Sequence, residues 1–563
     1  MNRRFESHWL LLVFLLLAQI SRAAIDNGED AAVDPATPMD PEMAMQEPDE
    51  ARFDIWEFEV DGANLVAQTE IERAVYGSLG PQRSYADVER AAQNIETLYR
   101  DAGYGATVFV NIPEQDISEG LVRLDVIEGK VDRLRVTGSR YFDIDRIKSK
   151  VPALAEGEVP NLPAMQEQLL ALNSATGNRR IAPVMRPGRR QGTVEVELEV
   201  EDKLPVHGSV EVNNQYTSAT TKTRVAGELR YENLWQREHS LGVSFQLTPE
   251  APEEVRVLSS TYVFRPGLHD WIAAVYGVLS DSEISVLAGG GAGDIGVLGK
   301  GYVVGGRLIN PLPSFDGVFH NLTVGFDYKD FDDEIALTAT DESIFNPISY
   351  VKFVAGWGGF KRWDSTRLNF NVDANFSVRG LGNDEFVDVA GAPVAEFANK
   401  RAGAKSNFMY LRGSGSLEHD LTQGGRMVLK LDGQLATAPL ISNEQFALGG
   451  INGSRGYSES QVLGDNALRL RLELQSPSLH GRLPGDFARE VRVLGFFDAA
   501  YGELINPLPD DLAHFRVIGT GLGLRTVLFD GLTSELLWAI ALTENGDIDA
   551  GDSRIHYLLR YAF

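Results

Sequence analysis

Two rhythms divide this chain. Between residues 52 and 203, short alternating stretches are interleaved with stretches of helical period; beyond Leu204 the helical period disappears. In "FDIWEFEV", Trp56, Phe58 and Val60 fall on one face and Glu57 and Glu59 on the other, which predicts a half-buried strand. Ser84, with Asp87 three residues on, is a capping-box-like start. Val88, Ala91, Ile95, Leu98 and Tyr99 follow at helical spacing, and Gly103 is a sensible stop. "ATVFVNIP" and "LVRLDVIEG" predict two strands. The order then recurs: a strand at "VDRLRVTG", a helical stripe of Leu162, Met165, Leu169 and Leu172, and strands at "RIAPVMRPG" and "TVEVELEV". These are two small α/β modules, 52–129 and 130–203.

From residue 204 to 563, alternating segments recur between polar or Gly/Pro/Asp turns, sixteen in all. In "NLTVGFDY", Leu322, Val324, Phe326 and Tyr328 share a face opposite Thr323, Gly325 and Asp327. Leu468, Leu470, Leu472 and Leu474 oppose Arg469, Arg471 and Glu473. The second face is too charged, on too many strands, to be a core. Lipid outside and water inside satisfies both faces, and closure satisfies every backbone group. The expected fold is mainly β: a 16-stranded transmembrane antiparallel β-barrel, an even number that suits a bacterial barrel. The terminal Phe563 agrees with an outer-membrane protein, which would meet the barrel assembly machinery and periplasmic chaperones during biogenesis.

The remaining sequence supplies an address. Arg3 and Arg4 precede "WLLLVFLLLA", and "SRA" at 21–23 reads as a cleavage site, so residues 1–23 are expected to be a signal peptide. Residues 24–51 carry nine acidic residues, no basic ones and four prolines, the composition of a disordered linker. It is a poor helix former. There are no cysteines, which removes disulfides and thiolate chemistry, and the formal charge of −28 argues against nucleic acid as a partner.

The stretches "YRDAGYGATVFVNIPEQDISEGLVRLDVIEGKV" and "RPGRRQGTVEVELEVED" resemble the first POTRA domain and the end of the second in two-partner secretion transporters. Between the eleventh and twelfth barrel segments lies "GGINGSRGYSESQVLGDNALRLRLELQSP". An Arg-Gly-aromatic tripeptide there resembles the loop-tip motif of that family, the hemolysin and filamentous-hemagglutinin type. The resemblance implies that Arg455, Gly456 and Tyr457 sit at the tip of a long loop, around 437–466, that folds back into the pore. The partner motif, Phe-x-Asp-x-Gly, is met by Phe496 and Asp498, with Ala500 where glycine is usual. Alternation independently places Arg492, Phe496 and Asp498 opposite Val493, Phe497 and Tyr501, so Asp498 is expected in the lumen, where a planar guanidinium suits a bidentate grip.

What the resemblance implies is a pore in the outer membrane of a Gram-negative bacterium, with its POTRA domains in the periplasm. They would bind an unfolded exoprotein by strand addition, and the barrel would export it to the surface. An assembly factor of the same superfamily is the main alternative, a passive porin a weaker one. No catalytic constellation, cofactor site or metal-ligand spacing is visible. "GAGDIG" at 291–296 fits a dinucleotide pattern, but it runs into a strand, without the helix N-terminus that would hold a phosphate.

Overall fold

The computed structural model describes residues 52–563 apart from 219, 269, 283–285, 288–296, 337–342, 388–390, 483–487 and 510–511. The signal-peptide and linker expectations, and the "GAGDIG" stretch, lie outside the described residues. The chain divides into two units, Met1–Leu98 with Val110–Val126, and Tyr99–Phe109 with Ile127–Phe563.

In the first module, β1 (Phe53–Ile55) is followed by β2 (Glu57–Asp61), α1 (Gln68–Tyr76), β3 (Gly80–Arg83), α2 (Tyr85–Asp101), β4 (Val108–Asn111) and β5 (Leu121–Glu128). The backbone N–H of Ser84 donates to Asp87 Oδ2 at 3.0 Å, one half of a capping box. Helix α2 then buries Val88, Ala91, Ala92 and Ile95. The predicted single strand through Trp56 is corrected. β1 pairs antiparallel with β3, whereas β2 pairs in parallel with β5. The chain changes partners at Trp56, where the N–H groups of Trp56 and Glu57 both donate to Gly120 O. Alternation restarts there, which leaves Ile55 fully buried and Trp56 62% exposed.

The second module holds β6 (Lys130–Thr137), α3 (Ile144–Ser149), α4 (Leu162–Ser174), β7 (Arg179–Pro187) and β8 (Thr193–Asp202). Its sheet order is β6-β8-β7, with β6 and β8 parallel. Asn161 caps α4 by accepting from Ala164 N at 3.1 Å. Met165, Leu169 and Leu172 pack with Leu134, Ile147 and Leu198.

The rest is one closed antiparallel barrel of sixteen strands. They are β9 (Val206–Asn213), β10 (Arg224–Leu234), β11 (His239–Leu247), β12 (Val255–Phe264), β13 (Ile272–Ser282), β14 (Gly301–Phe315), β15 (Val318–Ala336) and β16 (Ser343–Arg362), then β17 (Thr366–Ser377), β18 (Met409–Asp420), β19 (Arg426–Ala436), β20 (Asn466–Gln475), β21 (Ala488–Glu503), β22 (His514–Leu528), β23 (Leu532–Ala541) and β24 (Ser553–Ala562). The seam joins β24 to β9, from Leu558 opposite Asn213 to Ala562 opposite Ser209. Alternation holds around the wall. Leu322, Val324 and Phe326 are exposed on the outside, while Asp327 and Lys329 are buried inside.

One end of the barrel has short turns, and the second module meets it there. In the β10–β11 turn, Glu238 accepts from Lys150 Nζ at 2.7 Å and Arg179 Nη2 at 2.9 Å. Asn178 Nδ2 donates to Glu232 at 2.6 Å, and Asn233 Nδ2 to Tyr141 O at 3.0 Å. Burial pushes the Glu238 carboxyl up, but Lys150 and Arg179 outweigh it and hold it below its ordinary 4.5. The other end carries the long loops.

Candidate functional site

The connection between β19 and β20 does not remain outside the barrel. Phe446–Leu448 pairs with Val462–Gly464, closing the loop into a hairpin, and Gly449, Gly450 and Gly456 take positive φ. The tip is buried against the inner faces of β20 to β24. Arg455 is 1% exposed and Asp498 is fully buried. The Arg455 side chain donates from Nε to Asp498 Oδ2 at 2.7 Å and from Nη2 to Oδ1 at 2.8 Å, the fork-on-fork geometry that lysine cannot make. Its backbone N–H donates to the same carboxylate at 3.0 Å.

A second carboxylate completes the pair. Arg455 Nη1 donates to Glu473 Oε2 at 2.9 Å, and Arg525 Nη1 donates to the other Glu473 oxygen at 3.0 Å. The Phe496 ring lies beneath the guanidinium, whose carbon is 3.6 Å from the ring centroid. The phenol of Tyr457 donates to the carbonyl of Ile518 or Thr543, at 2.9 and 2.6 Å, and the ring is fully buried. Gly456 packs against β23, where an added Cβ would stand 3.1 Å from the Ala541 nitrogen.

The wall is shaped to receive this tip. On β22, Gly519, Gly521 and Gly523 alternate on the inner face. A Cβ on Gly519 would fall 1.9 Å from the Arg455 carbonyl oxygen. Ala500, where the resembling family has glycine, fits without conflict. It is 5% exposed, in a cluster with Phe446, Leu448, Tyr457, Phe515, Val517 and Ala541.

The rising limb of the loop is held by different chemistry on a different wall. Glu444 is 2% exposed and accepts from Lys329 Nζ, Tyr350 Oη and Tyr410 Oη, each at 2.6 Å. Lys352 Nζ lies 3.4 Å from Oε2, the oxygen that Tyr410 also meets. Here the loop brings the anion and β15, β16 and β18 supply the donors. At the returning base, the buried Asp465 accepts from Leu440 N at 3.0 Å, Ile505 N at 2.7 Å and Arg401 Nη2 at 2.7 Å. The structure therefore brings together Arg455, Gly456, Tyr457, Phe496 and Asp498, the residues singled out in sequence. Sequence reasoning gave no role to Glu473, Arg471 or Glu444. Glu473 was legible only as one inward charge among many. Arg471, which donates to Ile451 O and Asn452 O at 2.9 and 3.0 Å, was equally anonymous.

Two family models match the chain. One, a POTRA domain of ShlB type, covers residues 53–129. The other, haemolysin secretion/activation protein ShlB/FhaC/HecB, covers 349–526, which includes the loop and its β20–β21 wall. Both fall on the family that the sequence resembles. The chain is 22% identical over 498 residues to the outer membrane transporter CdiB of Dickeya dadantii (strain 3937), covering 86% of this chain and 82% of that protein. It is 20% identical over 444 residues to the heme/hemopexin transporter protein HuxB of Haemophilus influenzae (strain 86-028NP), covering 78% and 74%. The solved structure of CdiB from Escherichia coli superposes with a TM-score of 0.56 over 98% of this chain and 97% of that one, at 18% identity, a likeness of fold.

Proposed function

We propose, from the premise that this chain is a relative of the haemolysin secretion/activation transporters, that it is a translocation pore of two-partner secretion. It accepts an unfolded exoprotein in the periplasm and exports it through the barrel to the cell surface. Residues 1–23 are the signal peptide, 24–51 a linker, 52–129 and 130–203 two POTRA domains, and 204–563 the transmembrane barrel in the outer membrane of a Gram-negative bacterium. Among the described residues no helix is long and apolar enough to cross a membrane, so crossing falls to the strands. The exposed apolar outer face, with Phe326, Trp357 and Leu522 among its members, meets lipid. The short-turn end, with the second module, is periplasmic, and the long loops are extracellular. The chain is not an enzyme: it supplies a path, and the energy of folding outside gives the direction.

One observation carries this reading. A loop that belongs outside the barrel is drawn into the lumen by Arg455 and fixed to Asp498, inside a barrel preceded by a ShlB-type POTRA domain. A passive porin has no use for that domain. Arg455, Gly456 and Tyr457 are assigned as the gate-side tip of the loop, with Asp498 and Phe496 as its seat.

The experiment follows release of an exoprotein of the two-partner secretion type co-expressed with the transporter. Deleting residues 52–203 is expected to leave a folded barrel in the membrane and no exoprotein outside. Undiminished release from the truncated form overturns the capture role. A second measurement addresses the loop: Arg455→Cys with Asp498→Cys, in a protein without other cysteines, is expected to crosslink on oxidation and to block export until reduced.

A further inference from the structure

The loop does not fill the lumen. Its two anchors pull it toward particular walls: Glu444 to β15, β16 and β18, and Arg455 to β20–β22. What remains is a cavity of about 820 Å³, bounded on one side by loop residues such as Gln445, Asn452 and Glu459 and on the other by the lumen faces of β9 to β13. We infer that this lane, between the loop and the wall formed by β11 and β12, is the path taken by an extended polypeptide. The inference rests on the export reading and adds to it which side of the pore conducts.

The chemistry of the wall supports this. Along β11 the inward positions are Ser240, Gly242, Ser244 and Gln246, and on β12 they are Val257, Ser259, Thr261 and Val263. None of these is charged; the charges of the cavity, such as Glu228, Arg230 and Glu232, lie on the adjoining β10 face. Ser244 and Ser259 are register partners, with their hydroxyls 2.6 Å apart. An unfolded cargo presents every kind of side chain and an unpaired backbone. A conduit must let it enter without holding it, so weak, many-sited contact is required. Small hydroxyls both donate and accept, and so stand in for water along a moving backbone. They offer no ion pair and little apolar surface to stall on. The opposite wall cannot serve. Its inward groups are spent on the loop, or are covered by it, as Leu537 and Ala539 are, both fully buried.

The test uses the full chain in planar bilayers with KCl current as the first probe. Ser244→Cys and Ser259→Cys are nearly isosteric, so the barrel folds. Treating either with a bulky cationic methanethiosulfonate is expected to remove most of the current. Ala539→Cys, on the covered wall, is expected to keep its current under the same reagent. The second probe is an unstructured, asparagine- and glycine-rich peptide bearing one cysteine, added from the POTRA side. With copper phenanthroline as oxidant, it is expected to form a disulfide with Ser244→Cys and not with Ala539→Cys. Current lost at Ala539→Cys but kept at Ser244→Cys and Ser259→Cys overturns the lane, whatever becomes of export. Current lost at the two serines with no peptide crosslink at Ser244→Cys overturns its use by polypeptide. Export itself is judged separately, by whether the unmutated protein releases the co-expressed exoprotein.

Discussion

Two walls of the same lumen obey one alternation rule and carry opposite chemistry. On β20 to β22 the inward positions include charged residues, as at Arg471, Glu473 and Asp498, and positions stripped to hydrogen, as at Gly519 and Gly521. On β11 and β12 they are neutral: Ser240, Gly242, Ser244 and Gln246, then Val257, Ser259, Thr261 and Val263. The first wall receives a loop and must both hold it and make room for its backbone. Among the described residues the second has no covalent tenant. Period 2 decides only which face a residue points to; what occupies the space on that face decides what the residue has to be.

The largest expected difference between the walls is at the buried ion cluster. Arg455→Ala or Asp498→Ala leaves a dry charge without its main partner, a loss of about 3–5 kcal/mol in loop docking. The outcome is a loop open to protease at the cell surface and depressed export, with the barrel still showing heat-modifiable migration. Exchanging the two residues restores little, because an aspartate at position 455 would face Glu473, the second partner of the native arginine. If Ser244→Ala released the loop as strongly, the distinction between the walls would be lost.

Next in size is the contrast between inside and outside. Leu470→Arg places a charge on the lipid face and is expected to cost about 2–4 kcal/mol near the midplane, read as reduced assembly in the membrane. Ser244→Arg, on the open lumen face, is expected to assemble normally and to change conductance. Equal assembly defects would mean that one of the faces is assigned wrongly.

A paired glycine test is smaller and sharper. Gly519→Ala drives a methyl into the Arg455 carbonyl and is expected to cost about 1–3 kcal/mol by overpacking, again read as loop accessibility. Gly242→Ala, on the free wall, meets only the Arg230 side chain, 4.0 Å away, and is expected to stay within about 0.5 kcal/mol of wild type. Similar behaviour of the two would break the claim that one wall is shaped by the loop.

The smallest effect lies outside the lumen, at the junction with the second module. Because the folded Glu238 carboxyl sits below 4.5, its ion pairs with Lys150 and Arg179 contribute fully above that pH. The contribution is lost as pH falls through the lower folded value. Protease release of the module is therefore expected to rise on acidification below 4.5, and Glu238→Gln is expected to flatten that dependence. An unchanged profile in the variant would remove Glu238 from the account.

The sequence by itself determined the barrel almost strand for strand, because a period of two is local and closure leaves each strand one wet and one greasy face. The same rule put Asp498 inside, and the tripeptide at Arg455 pointed to its partner. The stripe in α4 was legible for the same reason: Met165, Leu169 and Leu172 are close enough in sequence to report one face. Tertiary structure decided what no period encodes. α3 is only six residues long, too short to show a period. Trp56 turned outward because β1 and β2 join different sheets. Glu444 meets Lys329 across 115 positions, and a glutamate in a loop carries no local signal of the wall it will reach. The open lane beside Ser244 and Ser259 is likewise a difference, the space left once the loop has chosen its anchors. Such a difference exists only in three dimensions, because it depends on where two distant segments meet and on where they do not.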